Sequence, residues 1–302
     1  NPDLSQLTSA SIVTATGQIF FTLSLGMGII CNYASYLQPD EDIVTASVAT
    51  VALNEFAEVI LAGTSVIPIS YAFLGPEGIK GSIGLAFMAL PNVFTTMAGG
   101  RIFGAVWFFL LFFAGFTSAI AMYNYLVALL EEELGVQRKK GALLIFVLYL
   151  IVGAPIAAEG IITGEANLIY FTEVDNWIGN YLLIVLGLLE VITLAWLVRD
   201  DGLVEMNKGG LWHVPKWFYK LFHQFLTPIC IIVFLGIFTR DYWIAGNFKI
   251  TPSYINGIEY MAPWVNAARL VVVVVLIIGF IQTHRAIKRK YKDEIETNKA
   301  NA

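Results

Sequence analysis

The sequence has little charge, because Lys, Arg, Asp and Glu make up only 14% of its 302 residues. Soluble globular domains carry about 25% of such residues. Hydrophobic residues make up 57% of the chain, and the mean hydropathy is +0.71. This composition excludes a soluble globular domain and predicts an all-α polytopic membrane protein.

The chain is also poor in the residues that carry covalent or metal chemistry. Its two cysteines, Cys31 and Cys230, lie in apolar stretches, where buried free thiols are expected rather than a disulfide. Its three histidines are scattered without the spacing of metal ligands. The Glu-x-x-His pair of di-metal bundles is absent, since the third residue after Glu55 is Glu58. We therefore predict that the protein is not an enzyme and binds no nucleic acid.

Seven long apolar runs take up most of the chain. A helix needs about 20 apolar residues to cross the hydrocarbon core, and most of the runs exceed that length. The fourth run is shorter, and the segment 157–176 that follows it has the composition of a loop. The predicted membrane spans are roughly 12–37, 43–74, 103–130, 141–158, 177–198, 218–239 and 262–282.

The segment 75–100 between the second and third spans is neither a helix nor a solvated loop by composition. Its glycines and prolines exclude one continuous helix, but it is rich in apolar residues. We predict a re-entrant hairpin on the outer side of the membrane. Residues 284–302 are charged and are predicted to form a cytoplasmic tail that is partly helical.

Basic residues predict the orientation. With a cytoplasmic C-terminus, thirteen of the eighteen Lys and Arg lie on the inner side, as the positive-inside rule requires. Seven crossings then place the N-terminus outside the cell membrane. The chain opens on Asn1 without the basic and apolar regions of a signal peptide, so we expect it to be the C-terminal portion of a longer chain.

The first span contains residues that a helix facing only lipid would not need. Residues 17–28 read GQIFFTLSLGMG, and the Ser24-Leu25-Gly26 centre can unwind because glycine has no Cβ. A helix break at membrane depth is tolerated only against protein or a wet cavity. Such a discontinuous helix indicates an ion and substrate site in a secondary transporter, although a glycine kink used for close packing is an equal alternative.

Polar residues inside the second and third spans are further candidates. Asn54 and Glu58 share one helix face, and a carboxylate at membrane depth is costly enough to make function the default hypothesis. A protonated Glu bonded between helices is the alternative. Ala114, Thr117 and Ser118 lie on one narrow stripe, which fits either oxygen ligands for a hard cation or a packing seam with back-bonded hydroxyls.

Three charged residues lie in the later spans. Asp175 stands at the predicted outward start of the fifth span, where helix N-caps favour acids. Glu190 is deeper in the same span, and Arg269 lies near the outward end of the last one. These residues could form structural ion pairs as easily as gates.

Four motifs in order resemble the neurotransmitter:sodium symporter family, in its bacterial amino-acid branch. They are GQIFFTLSLGMG, NEFAEVILAG, ALPNVFTTMAGG and FFAGFTSAIAM. The resemblance covers nearly the whole chain, from the sixth to the twelfth helix of that family. It implies the second half of a five-plus-five inverted-repeat fold, with the first five helices missing from this chain.

The resemblance implies a sodium-coupled symporter that carries an amino acid or a similar small amine. Phe21 resembles the aromatic lid over the substrate, and Met27 replaces an aromatic residue of some relatives. One sodium ion would be bound by Thr22 and Asn54, and a second by Thr117, Ser118 and the carbonyl of Ala114. The implied substrate contacts are Phe21, Thr22, Ser24, Met27, Ser118 and Met122.

The resemblance also implies gates and a counter-charge. Asp175 matches the outer-gate acid, whose arginine partner belongs to the missing half. Tyr36 and Glu132 match the inner gate, where aspartate is usual at the second position. Gln18 and Glu58 match the positions that surround chloride in animal relatives, which have a small hydroxyl residue in place of Glu58.

Two alternatives remain. One is an intramembrane enzyme, for which Glu55 and Glu58 on one helix are the only candidate residues. The other is a seven-helix membrane receptor, which shares the helix count and the outside N-terminus. Such a receptor would not need an oxygen-rich break in its first span or the hairpin 75–100. Lipid, sodium ions and a small-molecule substrate are the partners that the transporter interpretation implies.

Overall fold

The computed structural model describes residues 9–75, 85–164 and 167–292, which form helices and no strand within those ranges. The predicted all-α fold class is therefore confirmed. We number the principal helices in chain order: α1 Ser9–Thr22, α2 Ile29–Ala34, α3 Ile43–Ala72, α4 Leu85–Thr96, α5 Gly100–Glu132, α6 Arg138–Thr163, α7 Ile169–Val198, α8 Asp200–Met206, α9 Lys216–Ile244 and α10 Glu259–Lys290.

Six helices in the described part of the chain are long and apolar enough to cross a membrane. They are α3, α5, α6, α7, α9 and α10, with lengths of 26 to 33 residues. At 1.5 Å per residue, each exceeds the roughly 30 Å of hydrocarbon in a bilayer. The first predicted span, 12–37, contains α1 and α2 with an interruption between them.

The connection between α6 and α7 is shorter than the sequence predicts, because a buried side chain caps the second helix. The Glu159 carboxylate, fully buried at the end of α6, accepts hydrogen bonds from the backbone N–H groups of Ile169 (2.7 Å) and Tyr170 (2.8 Å). The helix therefore begins at Ile169. The prediction that Asp175 is its N-cap is wrong, since Asp175 lies inside the helix.

Of the predicted hairpin 75–100, residues 76–84 lie outside the described residues. The remainder forms α4, a turn at 97–99 and the start of α5. Within the predicted tail 284–302, α10 continues to Lys290, and residues 293–302 are again outside the described part.

The chain divides into two compact units. One comprises residues 1–38, 123–205 and 214–302, in which α1 packs against α7 and α9, and α10 packs on the first turn of α7. The other comprises residues 39–122 and 206–213, in which α3 contacts α4.

In the second unit, Asp42 caps α3. Its carboxylate accepts the N–H of Thr45 at 3.0 Å and that of Leu211 at 3.1 Å. The hydrogen bonds from Thr45, and then that from Leu211, hold the pKa of Asp42 below its usual range.

Candidate ion and substrate site

The helix break between α1 and α2 has an unusual backbone. Ser24, Gly26 and Gly28 all have positive φ, at 55°, 74° and 70°. Glycine adopts this left-handed region freely, whereas serine does so rarely. Such residues persist only where the surroundings hold them, and they cluster at binding and switch sites.

A carboxylate from a distant helix holds the centre of the break. The backbone N–H of Gly26 donates to Oε2 of Glu190 on α7, at 3.0 Å. On the α1 side, the N–H of Leu25 bonds back to the carbonyl of Phe20 at 2.9 Å, which ends the helix. The break is thus tied to α7 by a side chain that is itself deep in an apolar helix.

Close packing leaves no room for a side chain at the break. An alanine Cβ at position 26 would lie 2.6 Å from the Leu183 carbonyl oxygen. At position 28 it would lie 2.4 Å from the ring of Tyr125. On the facing helix, a Cβ on Gly187 would lie 2.3 Å from the Phe20 ring. At position 26 the obstacle is backbone, so the neighbouring helix would have to shift, whereas at positions 28 and 187 the Tyr125 and Phe20 rings would have to move.

The predicted residues of the first unit lie at this break. Phe21 and Thr22 form the end of α1, whereas Ser24 and Met27 lie in the interruption. Phe21 is exposed and the other three are half-buried. Gln18 is exposed one turn earlier in α1.

The predicted residues of the second unit lie on α3 and α5. Asn54 and Glu58 are half-buried on α3, and Glu58 belongs to a π-helical turn, Phe56–Gly63. Such turns occur frequently at functional sites. Met122 is half-buried, and it lies on α5 one turn after Ser118.

Three oxygens cluster on one face of α5. The Ala114 carbonyl accepts hydrogen bonds from Ser118 Oγ at 3.0 Å and Thr117 Oγ1 at 3.2 Å, and Thr117 also donates to Phe113 at 2.9 Å. Back-bonded hydroxyls of this kind belong to the packing-seam alternative. Each hydroxyl oxygen also has lone pairs, so the same cluster can serve a cation. The predicted site residues therefore divide between the two units.

The predicted outer-gate acid lies in a second π-helical turn, Asp175–Leu182 on α7. The Asn180 amide donates to the Asp175 carbonyl (3.3 Å) and carboxylate (3.5 Å). A Cβ on Gly179 would lie 2.5 Å from Asp175 Oδ1, so the carboxylate folds back over the glycine. Glu132, a predicted inner-gate residue, is exposed and is the last residue of α5.

Tyr36, the other predicted inner-gate residue, follows α2 and is exposed. Its ring meets that of Tyr33 edge to face, with centroids 6.5 Å apart. The acids on each side of Glu132 are paired: Glu131 with Arg138 at 3.0 Å, and Glu133 with Lys290 at 2.9 Å.

Sequence reasoning missed two buried acids and one pairing. Glu159 and Glu173 are fully buried, and Arg269 pairs with Glu173 at 2.5 Å. The signal that could have found the acids is the cost of burying a carboxylate in an apolar run.

Comparison with known proteins identifies the family. A profile of the Sodium:neurotransmitter symporter family matches residues 1–288. The chain belongs to this family. The resemblance seen in the four motifs is therefore confirmed, and the family is one of membrane transporters rather than enzymes.

Relatives of this chain are described as sodium-dependent transporters. An uncharacterised one from Methanocaldococcus jannaschii is 33% identical over 264 residues, which cover 83% of this chain and 51% of the relative. The Drosophila virilis sodium-dependent nutrient amino acid transporter 1 is 24% identical over 83% of this chain and 39% of its own. This chain spans about half the length of the curated relatives it matches.

A solved structure supports the same architecture. The crystal structure of MhsT in complex with L-phenylalanine matches with a TM-score of 0.67 and 29% identity. The match covers 78% of this chain and 54% of the MhsT chain. The receptor alternative is not favoured, because the family and its relatives are transporters.

Proposed function

We propose that this chain is the C-terminal portion of a sodium-coupled symporter that carries an amino acid or a similar small amine across the plasma membrane. The observation that carries the proposal is the break between α1 and α2, with three positive φ values and the Glu190 bond to Gly26. The names of similar proteins support this substrate class, since one is a sodium-dependent nutrient amino acid transporter and the MhsT structure is a complex with L-phenylalanine.

The break supplies groups suited to a cation at membrane depth. The last carbonyls of α1 lie at the negative end of a helix dipole. Those of Phe20 and Phe21 accept bonds of non-α-helical spacing, from Leu25 at 2.9 Å and Ser24 at 3.0 Å, and each carbonyl oxygen has a second lone pair for a cation. Transporters use such ends to coordinate sodium. We propose that Thr22 and Asn54 contribute to one sodium site, and that Ala114, Thr117 and Ser118 contribute to a second.

The substrate would lie beside these ions. We assign it to the polar groups of the break and to the pocket wall from α5, with the aromatic ring of Phe21 as a lid. The residues in this proposal are Phe21, Thr22, Ser24, Met27, Ser118 and Met122.

Transport would follow from differential affinity. Sodium and substrate bind better to one of two states, and their binding shifts the population between outward-open and inward-open forms. We propose Asp175 as the outer-gate acid, with Tyr36 and Glu132 at the inner gate. With the N-terminus outside and the C-terminus cytoplasmic, a 100 mV membrane potential adds about 2.3 kcal/mol for each charge moved.

Sodium activation tests the function and its second ion site together. The complete transporter, in proteoliposomes with an inward sodium gradient, should accumulate a labelled neutral amino acid, and an equal potassium gradient should not drive this accumulation. Thr117→Val and Ser118→Ala should each raise the half-saturating sodium concentration roughly ten-fold, which corresponds to about 1.4 kcal/mol. The reason is that each removes an oxygen ligand while the apolar packing is largely kept.

Thr50→Val is the matched control, because Thr50 on α3 is also exposed and back-bonded, to Ala46 at 2.8 Å. Its sodium activation curve should be unchanged. Curves that stay unchanged for Thr117→Val and Ser118→Ala as well would favour the packing-seam alternative.

A further inference from the structure

A buried carboxylate near the outward end of α7 collects donors from three parts of the first unit. Glu173 is fully buried. It accepts Arg269 Nε from α10 at 2.5 Å, Trp177 Nε1 from α7 at 2.9 Å, and the hydroxyl of Tyr254 from the outer loop 245–258. Burying a carboxylate is costly unless such partners are present, so these donors offset the desolvation of Glu173.

The arginine of this set also binds the outer loop. Arg269 Nη1 donates to the carbonyl of Lys249 and Nη2 to that of Asn247, both at 2.6 Å. All three kinds of guanidinium nitrogen are therefore used, in a fork that lysine cannot reproduce. Burial is the larger cause that raises the pKa of Tyr254, and the hydrogen bond to Glu173 raises it further. The Tyr254 hydroxyl therefore stays protonated and donates its hydrogen bond.

An apolar core lies beside the polar set. Ile169 on the first turn of α7 packs with Ile255 of the outer loop and with Met261 and Val265 of α10, and all four are buried. The first turn of α7, the outer loop and the start of α10 thus form one packed block. We refer to Glu173, Trp177, Tyr254 and Arg269 as the outer anchor.

The outer anchor holds α7 on both sides of Asp175. Glu173 lies two residues before Asp175. Trp177 lies two residues after it, and its ring meets that of Phe248 in the outer loop edge to face, with centroids 5.6 Å apart. Between and beyond them the helix changes to the π-helical turn Asp175–Leu182, which has a looser geometry than an α-helix. The backbone position of Asp175 is therefore set by contacts to the outer loop and α10.

We propose that the outer anchor positions the gate acid, so that the outer loop and the last helix act on the gate through Arg269 and Glu173. This inference rests on the proposed role of Asp175 as the outer-gate acid. Arg269 and Glu173 are positioning residues in this account, because they act through Asp175 and touch no substrate.

Amide hydrogen exchange tests the positioning independently of transport. In the complete transporter, Arg269→Gln should speed exchange across Asp175–Leu182 at least ten-fold. Arg240→Gln is the matched control, because Arg240 is also on the outer side but pairs with its neighbour Asp241 at 2.8 Å. Tyr254→Phe removes one hydroxyl only, and it should give a smaller increase even if Arg269→Gln does not fold. Exchange at 175–182 that is unchanged in every anchor variant that folds would overturn the proposal.

A double-variant cycle tests whether the anchor acts through the gate. Asp175→Asn should speed dissociation of a bound amino acid about ten-fold, Tyr254→Phe should speed it less, and the double variant should match Asp175→Asn alone, because the second change then has nothing left to position. Arg269→Lys should not restore the wild-type rate. A double variant whose dissociation rate increases by the product of the two single-variant factors would contradict the proposal. A complete transporter without sodium-driven uptake would instead contradict the proposed function, and the exchange result would still report on the anchor.

Discussion

Replacing Gly26 with alanine should abolish sodium-driven uptake by the complete transporter, with a loss of at least 100-fold. The φ of +74° at this position is strained for any residue with a Cβ, and the added atom would lie 2.6 Å from the Leu183 carbonyl and 3.0 Å from the Gly187 nitrogen. Both of these are backbone atoms of α7, so neither can rotate away. The break must therefore shift, and with it the N–H that Glu190 holds.

Gly153→Ala is the control for this experiment. Gly153 lies inside α6, and an added Cβ meets no atom within 4 Å, so alanine there should be neutral or slightly favourable for the helix. Uptake normalised to protein in the membrane is the measurement. Normal sodium-driven uptake by Gly26→Ala would show that the geometry of the break is not required for transport.

Glu58→Ser should convert a chloride-independent transporter into a chloride-responsive one. Two bound cations beside a substrate carboxylate need compensating negative charge, since an uncompensated ion in a low-dielectric site is costly. We propose that Glu58, half-buried in the π-helical turn of α3, supplies this charge in the wild-type protein. Serine would remove this negative charge and would leave a small hydroxyl group. The family resemblance implies that animal relatives have such a residue at this position.

Uptake should be measured with chloride and with gluconate as the anion. The wild-type rate should be equal in both, whereas Glu58→Ser should be slow in gluconate and several-fold faster in chloride. Glu55→Ser is the control, because it removes an acid from the same helix, and it should stay insensitive to the anion. Strong chloride stimulation of the wild-type protein would contradict the role of Glu58.

The fold class could be predicted because its cause is local in the sequence. Apolar runs of membrane length require helices, since no other open structure satisfies its backbone groups in lipid. The glycines and the serine within residues 17–28 predict a helix break, and the structure has its break in that segment. The ends of helices could not be predicted as well, because tertiary contacts set them. Glu159 extends α7 back to Ile169 by capping it from another helix.

The candidate site was only partly accessible from the sequence. Residues within one motif, such as Thr117 and Ser118, are neighbours on a helix by spacing alone. The partner of Arg269 is 96 residues away, and nothing in the sequence ranks Glu173 above Asp175 or Glu190. The hydrogen bond from Gly26 to Glu190 joins residues 164 positions apart, and no pattern in the sequence predicts it. The packing of the folded helices determines which of these distant residues pair.

Parallel uptake of radioactive sodium and a labelled neutral amino acid is the most direct test of the central claim. That claim is that this chain supplies half of a sodium-coupled amino-acid site. The complete transporter should show amino-acid uptake that requires sodium and sodium uptake that rises with the amino acid. This chain alone, reconstituted at the same density, should show neither. Amino-acid uptake by the complete transporter that is indifferent to sodium, or robust coupled uptake by this chain alone, would contradict the account.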